Sequence, residues 1–207
     1  MAKVAETRLP PARERLLTSG AAVFAEKSYE GGSTREICAR AGTSSNMVHH
    51  YFGNKAGLLD AIIERFGAQV LVLPVKLLAV PAKSRDDFVS RIEMLFEATM
   101  DACLEHRDLL KVVVREDASP AVLGDYTDTF VAFLDEGKRR GLVNEGLDTS
   151  MVSGVILDRV FNQVLYAPGI KAAHGVGISD PIYRKRWCAA NVGHVLYGLL
   201  PATNQST

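Results

Sequence analysis

Between Gly42 and Ile62 the chain reads GTSSNMVHHYFGNKAGLLDAI, a stretch in which Ser44, Ser45, Asn46, Met47, His49, His50, Tyr51 and Lys55 crowd together. An asparagine can bridge adenine N6 and N7, and serine and histidine donate or accept at base edges. Tyr51 and Lys55 have the reach for phosphate oxygens, and Lys55 stands where a following helix would begin, a place that attracts anions. Thr34 and Arg35 open an earlier helix in the same way, with a surface ion pair as the plainer role for Arg35. His50 taken alone could equally be a solvated side chain. Metal chemistry fits poorly, because adjacent helical residues point about 100° apart and no Asp, Glu or Cys lies three or four positions from His49 or His50. No metal or cofactor is therefore expected.

Such residues can read a duplex only if a short helix presents them on one side and is anchored on the other. Val48 and Phe52, four apart, share a face and supply the anchor, leaving Asn46, His49 and His50 to point elsewhere. Ser44 is placed to cap this helix, which runs through Phe52 before FGNK turns the chain. Upstream, Ser33-Thr34-Arg35-Glu36 spells a capping box: Ser33 accepts from the amide of Glu36 while the Glu36 side chain reaches back. That helix ends at Ala41-Gly42, glycine being the residue that tolerates the left-handed turn. A first helix starts after Pro10-Pro11, carries Leu16, Leu17, Gly20, Ala21 and Phe24 at helical spacing, and stops near Ser28. Two helices joined by a tight glycine turn, the second short and polar, form a helix-turn-helix, whose second helix enters the DNA major groove.

The rest of the chain is also helical in pattern. A fourth helix is expected over about 55–71, and others near 85–104, 106–116, 120–139, 148–166 and 181–199, with Pro, Gly or Asp between them. KVVVR (111–115) is β-branched but sits inside a helical pattern, so it reads as helix. HGVGIS (174–179) has the glycines of a phosphate loop without the preceding strand, and reads as an inter-helix loop. REDASP (115–120) pairs two carboxylates with no nucleophile, and reads as a helix end followed by a proline-started helix. The tail ATNQST is expected to be disordered.

The segment STREICARAGTSSNMVHHYFGNKAGLL resembles the DNA-binding part of the TetR (tetracycline repressor) family, and RERLLTSGAAVFAEKSYEGGS is similar to that family's first helix and the turn after it. The likeness covers roughly residues 12–63. Ser45 stands where the family often has a basic residue, His49 where it often has an aromatic, Cys38 for a frequent Ala and Ser28 for a common Gly. The resemblance implies an all-α protein with an N-terminal three-helix DNA-binding domain (1–54) and a C-terminal helical domain (55–207) for effector binding and dimerisation. It also implies an apolar cavity among the later helices, with Phe96, Met100, Cys103, Phe130, Phe133 and Phe161 as candidate lining, although such residues are more often core.

The region 148–166 is apolar around most of its circumference, with Val152, Ile156, Val160 and Val164 in one row. A helix of this kind needs covering on two sides, and a second subunit can supply one of them. Trp187, Cys188, Val192, Val195, Leu196 and Leu199 offer the matching surface on the last helix; a buried helix in a monomer is the alternative. With 47% hydrophobic and 23% charged residues the chain can bury a sizeable core. Its apolar run VLVLPVKLLAV is too short for a bilayer and is broken by Pro74 and Lys76. Cys38, Cys103 and Cys188 match neither a disulfide framework nor a metal pair, and the first residues lack a signal-peptide core, so a cytoplasmic protein is expected. Residues 1–55 hold eight Lys/Arg against five Asp/Glu in a chain that is neutral as a whole, which suits an anionic partner. A homodimeric regulator released from a palindromic operator by a small, largely apolar effector fits these features; a constitutive DNA-binding protein and a small helical enzyme are the rivals.

Overall fold

In the computed structural model, which describes residues 11–200, helix follows helix and no strand occurs among the described residues. The tail ATNQST and the residues before Pro11 lie outside that range. Pro11 opens α1 (Ala12–Gly31), which buries Leu16, Leu17, Gly20, Ala21 and Phe24, the stripe that the spacing predicts. The helix does not simply stop at Ser28. That residue takes φ 67° and ψ 169°, and one further helical turn runs on to Gly31. A side chain in this region of backbone space costs on the order of 1–3 kcal/mol, whereas glycine enters it freely. Ser28→Gly is therefore expected to stabilise the fold by about 1 kcal/mol net of glycine's entropy, raising the midpoint of thermal unfolding by roughly 2–4 °C. A calorimetric midpoint unchanged or lowered would contradict that strain.

Next come α2 (Thr34–Arg40), α3 (Met47–Phe52) and α4 (Lys55–Phe66), the last burying Leu58, Ile62 and Phe66 against α1. The helix expected over 55–71 does not end there. A π-helical turn (Gly67–Leu71) leads into α5 (Val72–Leu78), so the apolar run is helical throughout and contains Pro74. Proline has no amide to donate and its ring presses on the carbonyl four residues back; a widened turn before it supplies the slack.

Ser84 caps α6 (Arg85–Glu105) by accepting from the Asp87 amide at 3.1 Å. Phe88, Ile92, Leu95, Phe96, Thr99, Met100 and Cys103 recur at three- and four-residue spacing and are all buried, so one face of α6 forms the middle of the molecule. α5, α10 (Val155–Leu165) and α12 (Pro181–Leu199) all pack on α6. KVVVR lies in α7 (Arg107–Arg115), where Val112 and Val113 are buried, and Pro120 sits in the first turn of α8 (Ser119–Arg139).

Two departures follow. The single helix expected at 148–166 is divided into α9 (Thr149–Val152) and α10 by Ser153-Gly154, where the Ser153 hydroxyl donates to the Ser150 carbonyl at 2.9 Å. Local bonding of this kind competes with the helical ladder. An additional helix, α11 (Ala167–His174), begins with Pro168 in its first turn and ends at Gly175 with φ 74°. α12 matches the expected 181–199, with Asp180 accepting from the Tyr183 amide at 2.8 Å. A single apolar core runs from Leu16 to Leu199.

Candidate nucleic-acid interface

The short helix α3 is held from beneath and from both ends. Val48 is buried where α3 packs on α2 and α4, Phe52 is half-buried, and the Arg13 guanidinium lies 5.4 Å over the Phe52 ring. In front of it, α2 closes on Gly42 at φ 61°, with the Thr43 amide donating to the Cys38 carbonyl at 2.9 Å. Cys38 is buried and its thiol donates to the Ser45 carbonyl at 3.5 Å, tying the turn to the scaffold. Behind it, Asn54 caps α4 by accepting from the Gly57 amide at 2.8 Å. There the two helices nearly touch: a Cβ built on Gly57 would lie 2.1 Å from the Phe52 carbonyl oxygen.

That clamp leaves a polar face free. Ser44, Ser45, Asn46, His49, His50 and Tyr51 are exposed, Met47 is partly buried, and the His50 and Tyr51 rings meet edge to face at 4.9 Å. The start of α3 differs from expectation. Asn46 is its first boundary residue, without a side-chain cap, and Ser44 contributes its carbonyl, which accepts from the Met47 amide at 3.1 Å. The capping box at α2 is half present. Ser33 accepts from the Glu36 amide at 3.2 Å as expected, but the Glu36 carboxylate turns away to Lys27 at 2.8 Å. An exposed ammonium offers a full charge, which a backbone amide does not.

The charges sort in a useful way. Glu14 pairs with Arg65 at 3.0 Å, Glu26 with both guanidinium nitrogens of Arg40 at 2.9 and 3.0 Å, and Glu36 with Lys27. The Arg40 hydrogen bond holds the Glu26 carboxyl below the usual carboxylate range. Arg35, exposed at the start of α2 beside half-buried Thr34, has no ion pair among the described residues. Lys55 has none either; its ammonium lies 4.4 Å over the Tyr29 ring and donates to the Glu30 carbonyl at 3.5 Å. Of the four acids in residues 11–55, Glu14, Glu26 and Glu36 are engaged away from α3, while exposed Glu30 has no ion pair among the described residues and accepts from Lys55 only at its backbone carbonyl. The unpaired cations Arg35 and Lys55 stand at the starts of α2 and α4, on either side of the exposed polar face.

One feature had no sequence signal. The kink at Ser28 frees the Phe24 and Ala25 carbonyls and the Tyr29 amide, which an unbroken helix would bond internally. Arg115, the last residue of α7, donates to Phe24 and Ala25 at 3.4 and 3.2 Å, and Glu116 accepts from the Tyr29 amide at 2.8 Å. REDASP thus ends a helix, as read, and its first two side chains complete the bonding of α1. The partners lie about ninety residues apart, beyond any local pattern.

The C-terminal candidates are placed as follows. Phe96, Met100, Cys103, Phe130, Phe133 and Phe161 are all buried. They pack closely: Phe96 meets Trp187 at 6.4 Å, Phe133 stacks on Phe88 at 5.3 Å, and Phe161 meets Phe66 at 6.0 Å. Burial pushes the Cys103 thiol up to about 12. Ile156, Cys188, Val192, Val195 and Leu199 are buried within the chain itself, whereas Val152, Trp187 and Leu196 are half-buried. Four of these, Val152, Ile156, Val195 and Leu199, line a groove of about 230 Å³ beside α12. The outward face of α12 carries Ile182, then the exposed cations Lys185 and Arg186, then Ala189, Ala190, Gly193 and Tyr197, with Tyr197 91% exposed. Among the described residues no three His, Cys, Asp or Glu converge as a metal site, and no helix is long and apolar enough to cross a membrane.

Residues 16–62 match the family model for bacterial regulatory proteins, tetR family, from within α1 to the end of the clamp in α4. The chain is 25% identical over 169 residues to the HTH-type transcriptional repressor KstR2 of Mycolicibacterium smegmatis, covering 76% of this chain and 80% of that protein. It is 21% identical over 163 residues to the HTH-type transcriptional regulator UidR of Escherichia coli K12, covering 75% and 81%. The structure of the ketosteroid transcriptional regulator KstR2 of Mycobacterium tuberculosis superposes with a TM-score of 0.70 at 20% identity, over 94% of this chain and 98% of that one. These similar proteins are regulators, not enzymes. The recognition segment matches the tetR-family model and the fold is shared along nearly the whole chain with a DNA-binding regulator of known structure, so both parts of the protein are similar to TetR-family transcriptional regulators.

Proposed function

We propose that the protein is a homodimeric repressor that binds a palindromic operator through residues 12–54 and is released by a small, largely apolar effector held by the helices from residue 55 onward. The exposed face of α3, bearing Asn46, His49 and His50 on a helix anchored by Val48, carries this reading. In a two-fold dimer the two copies would enter successive major grooves. Binding of a selected operator, followed by fluorescence anisotropy, is expected to weaken steeply with salt as Arg35, Lys55 and their symmetry mates displace counterions. Asn46→Ala or His49→Ala should cost about 1–3 kcal/mol at one base position, whereas Lys55→Ala should weaken all sequences alike. An operator preference unchanged in both recognition-helix variants would refute the base-reading roles.

The outward face of α12 supports the dimer. Ala189, Ala190, Gly193 and Tyr197 form a short apolar strip beyond exposed Lys185 and Arg186 and next to the groove lined by Val152 and Leu199, and solvent-facing apolar strips of this kind mark interfaces. An interface of the obligate class would bury roughly 2,000 Å² or more. A Cβ on Gly193 meets nothing within 4 Å in the single chain, so Gly193→Arg leaves the protomer intact and places a charge in the proposed contact. Light scattering should show monomers, and operator binding should be lost with the dimer; a dimeric variant would overturn this interface.

Two orphaned groups support an effector. The Thr99 hydroxyl on α6 and the Tyr126 hydroxyl on α8 are buried without a hydrogen-bond partner, and burial pushes the Tyr126 phenol up. Unpaired buried polar atoms are costly, and a ligand with one or two polar groups would satisfy them. A bound effector should raise thermal stability and weaken operator affinity, and the operator should weaken ligand binding by the same factor, typically about 5–150-fold. A ligand that stabilises the protein without releasing DNA would favour the constitutive alternative.

A further inference from the structure

HGVGIS has a setting that its sequence does not suggest. The loop from Gly175 to Asp180 joins α11 to α12 and forms one wall of a hollow of about 630 Å³ that reaches the first residue of α7. That volume is in the range of sites for small organic ligands. Two cations line the hollow, Arg107 and Lys171. Neither has an ion pair among the described residues, and the Arg107 Nε is buried with no hydrogen-bond partner. The one interaction of the Arg107 head, from Nη2 to the Leu165 carbonyl at 3.5 Å, is at the outer limit for a hydrogen bond. The single lining carboxylate, Asp180, is engaged in capping α12 at the Tyr183 amide. Apolar surface comes from Pro168 and Val176, and Ser179 with the loop glycines completes the wall.

A guanidinium is planar and offers a fork of donors matched to a carboxylate or phosphate, and it is costly to desolvate without an acceptor. Here one edge is desolvated and unpaired, an ammonium lies on the same wall, and the apolar side chains of Pro168 and Val176 lie in the same hollow. We infer that this hollow is a binding site for a small amphiphilic organic anion, its acidic group held between Arg107 and Lys171 and its apolar body against Pro168 and Val176. The site is distinct from the α6–α8 interior, where Thr99 and Tyr126 lie, so it does not depend on the effector reading. Arg107 also borders a second hollow, formed with Leu17 and Thr18 of α1, so the occupied site would adjoin the contact between α7 and the DNA-binding helices.

Isothermal titration of the full-length protein with phenylbutyrate tests the site, with phenylbutanol as the uncharged analogue and inorganic phosphate as the anion without an apolar body. Saturable, salt-sensitive binding of phenylbutyrate is expected, with phenylbutanol at least about tenfold weaker for want of the charged hydrogen-bonding group, and phosphate at least about tenfold weaker for want of the buried apolar body. Lys171→Gln alters an exposed side chain and should weaken phenylbutyrate about tenfold; Arg107→Gln should weaken it at least as much, and Arg107→Lys should recover part of the loss. Unfolding midpoints of each variant establish that it remains folded. Equal affinity of wild type and Lys171→Gln, phenylbutanol binding as tightly as phenylbutyrate, or no saturable binding at millimolar phenylbutyrate would each overturn the assignment. Phosphate binding as tightly as phenylbutyrate would overturn the amphiphilic class.

Discussion

Alanine at Gly57 is expected to abolish sequence-specific DNA binding while leaving the C-terminal helices folded. The added Cβ would stand 2.1 Å from the Phe52 carbonyl oxygen, a contact with backbone that no rotamer change relieves. Either α3 moves away from α4 or the first turn of α4 opens, and in the second case the Asn54 cap at the Gly57 amide is lost as well. Overpacking of this sort costs about 1–3 kcal/mol, and a lost cap about 1 more. The larger effect falls on geometry. Base contacts depend on α3 lying at a fixed height above α1 and α4, and a displacement of about 1 Å in a positioned group can cost on the order of a hundredfold. Anisotropy titrations should show operator affinity reduced to the level of random DNA, with the helical circular dichroism nearly unchanged. Wild-type affinity in this variant would mean that the α3–α4 contact does not position the reading face.

The second large effect is expected at Phe96. Its ring is fully buried on α6 and meets Trp187 of α12 edge to face at 6.4 Å. Phe96→Ala removes a ring from a packed interior, a change that costs about 3–5 kcal/mol. At roughly 2–4 °C per kcal/mol for a domain of this size, the unfolding midpoint should fall by about 6–20 °C. Had Phe96 bordered an open cavity, the loss would be smaller and would be accompanied by altered ligand affinity. A midpoint within about 2 °C of wild type would identify Phe96 as cavity lining.

The contrast between those two residues marks what the sequence discloses. Local signals survived folding: Ser33 caps α2, Gly42 ends it in the left-handed region, Pro120 starts α8, and Val48 holds α3 down. Each is decided within about four residues. Periodicity also identified Phe96 and Val192 as buried, but a buried row does not say what buries it, and the same spacing serves a core, a cavity wall and a subunit contact. Val192 and Val195 face inward, and the outward face of α12 beyond Lys185 and Arg186 is made instead of alanine, glycine and Tyr197, mostly small types to which hydrophobic pattern-reading gives little weight. The π-helical turn was hidden because Pro74 marks an interruption without saying whether the chain turns or widens. α11 buries no residue, so it leaves no apolar periodicity in the sequence, and Pro168 in its first turn is its one local signal. The Lys27–Glu36 pair and the Arg107–Lys171 hollow depend on side chains from separate elements, which no local pattern contains.

The completion of α1 by Arg115 and Glu116 sets an order of events during synthesis. The DNA-binding helices leave the ribosome first, yet the Tyr29 amide has its acceptor 87 residues downstream. At about 5–20 residues per second, roughly 4–17 s pass between the appearance of Tyr29 and that of Glu116. During that interval α1 can form only as far as its kink, and its last turn, against which Lys55 rests, has no partner for its first amide. The nascent chain is thus unable to present a finished DNA-reading surface before α7 has emerged, so a regulator truncated ahead of residue 116 is also one whose recognition module is incompletely bonded.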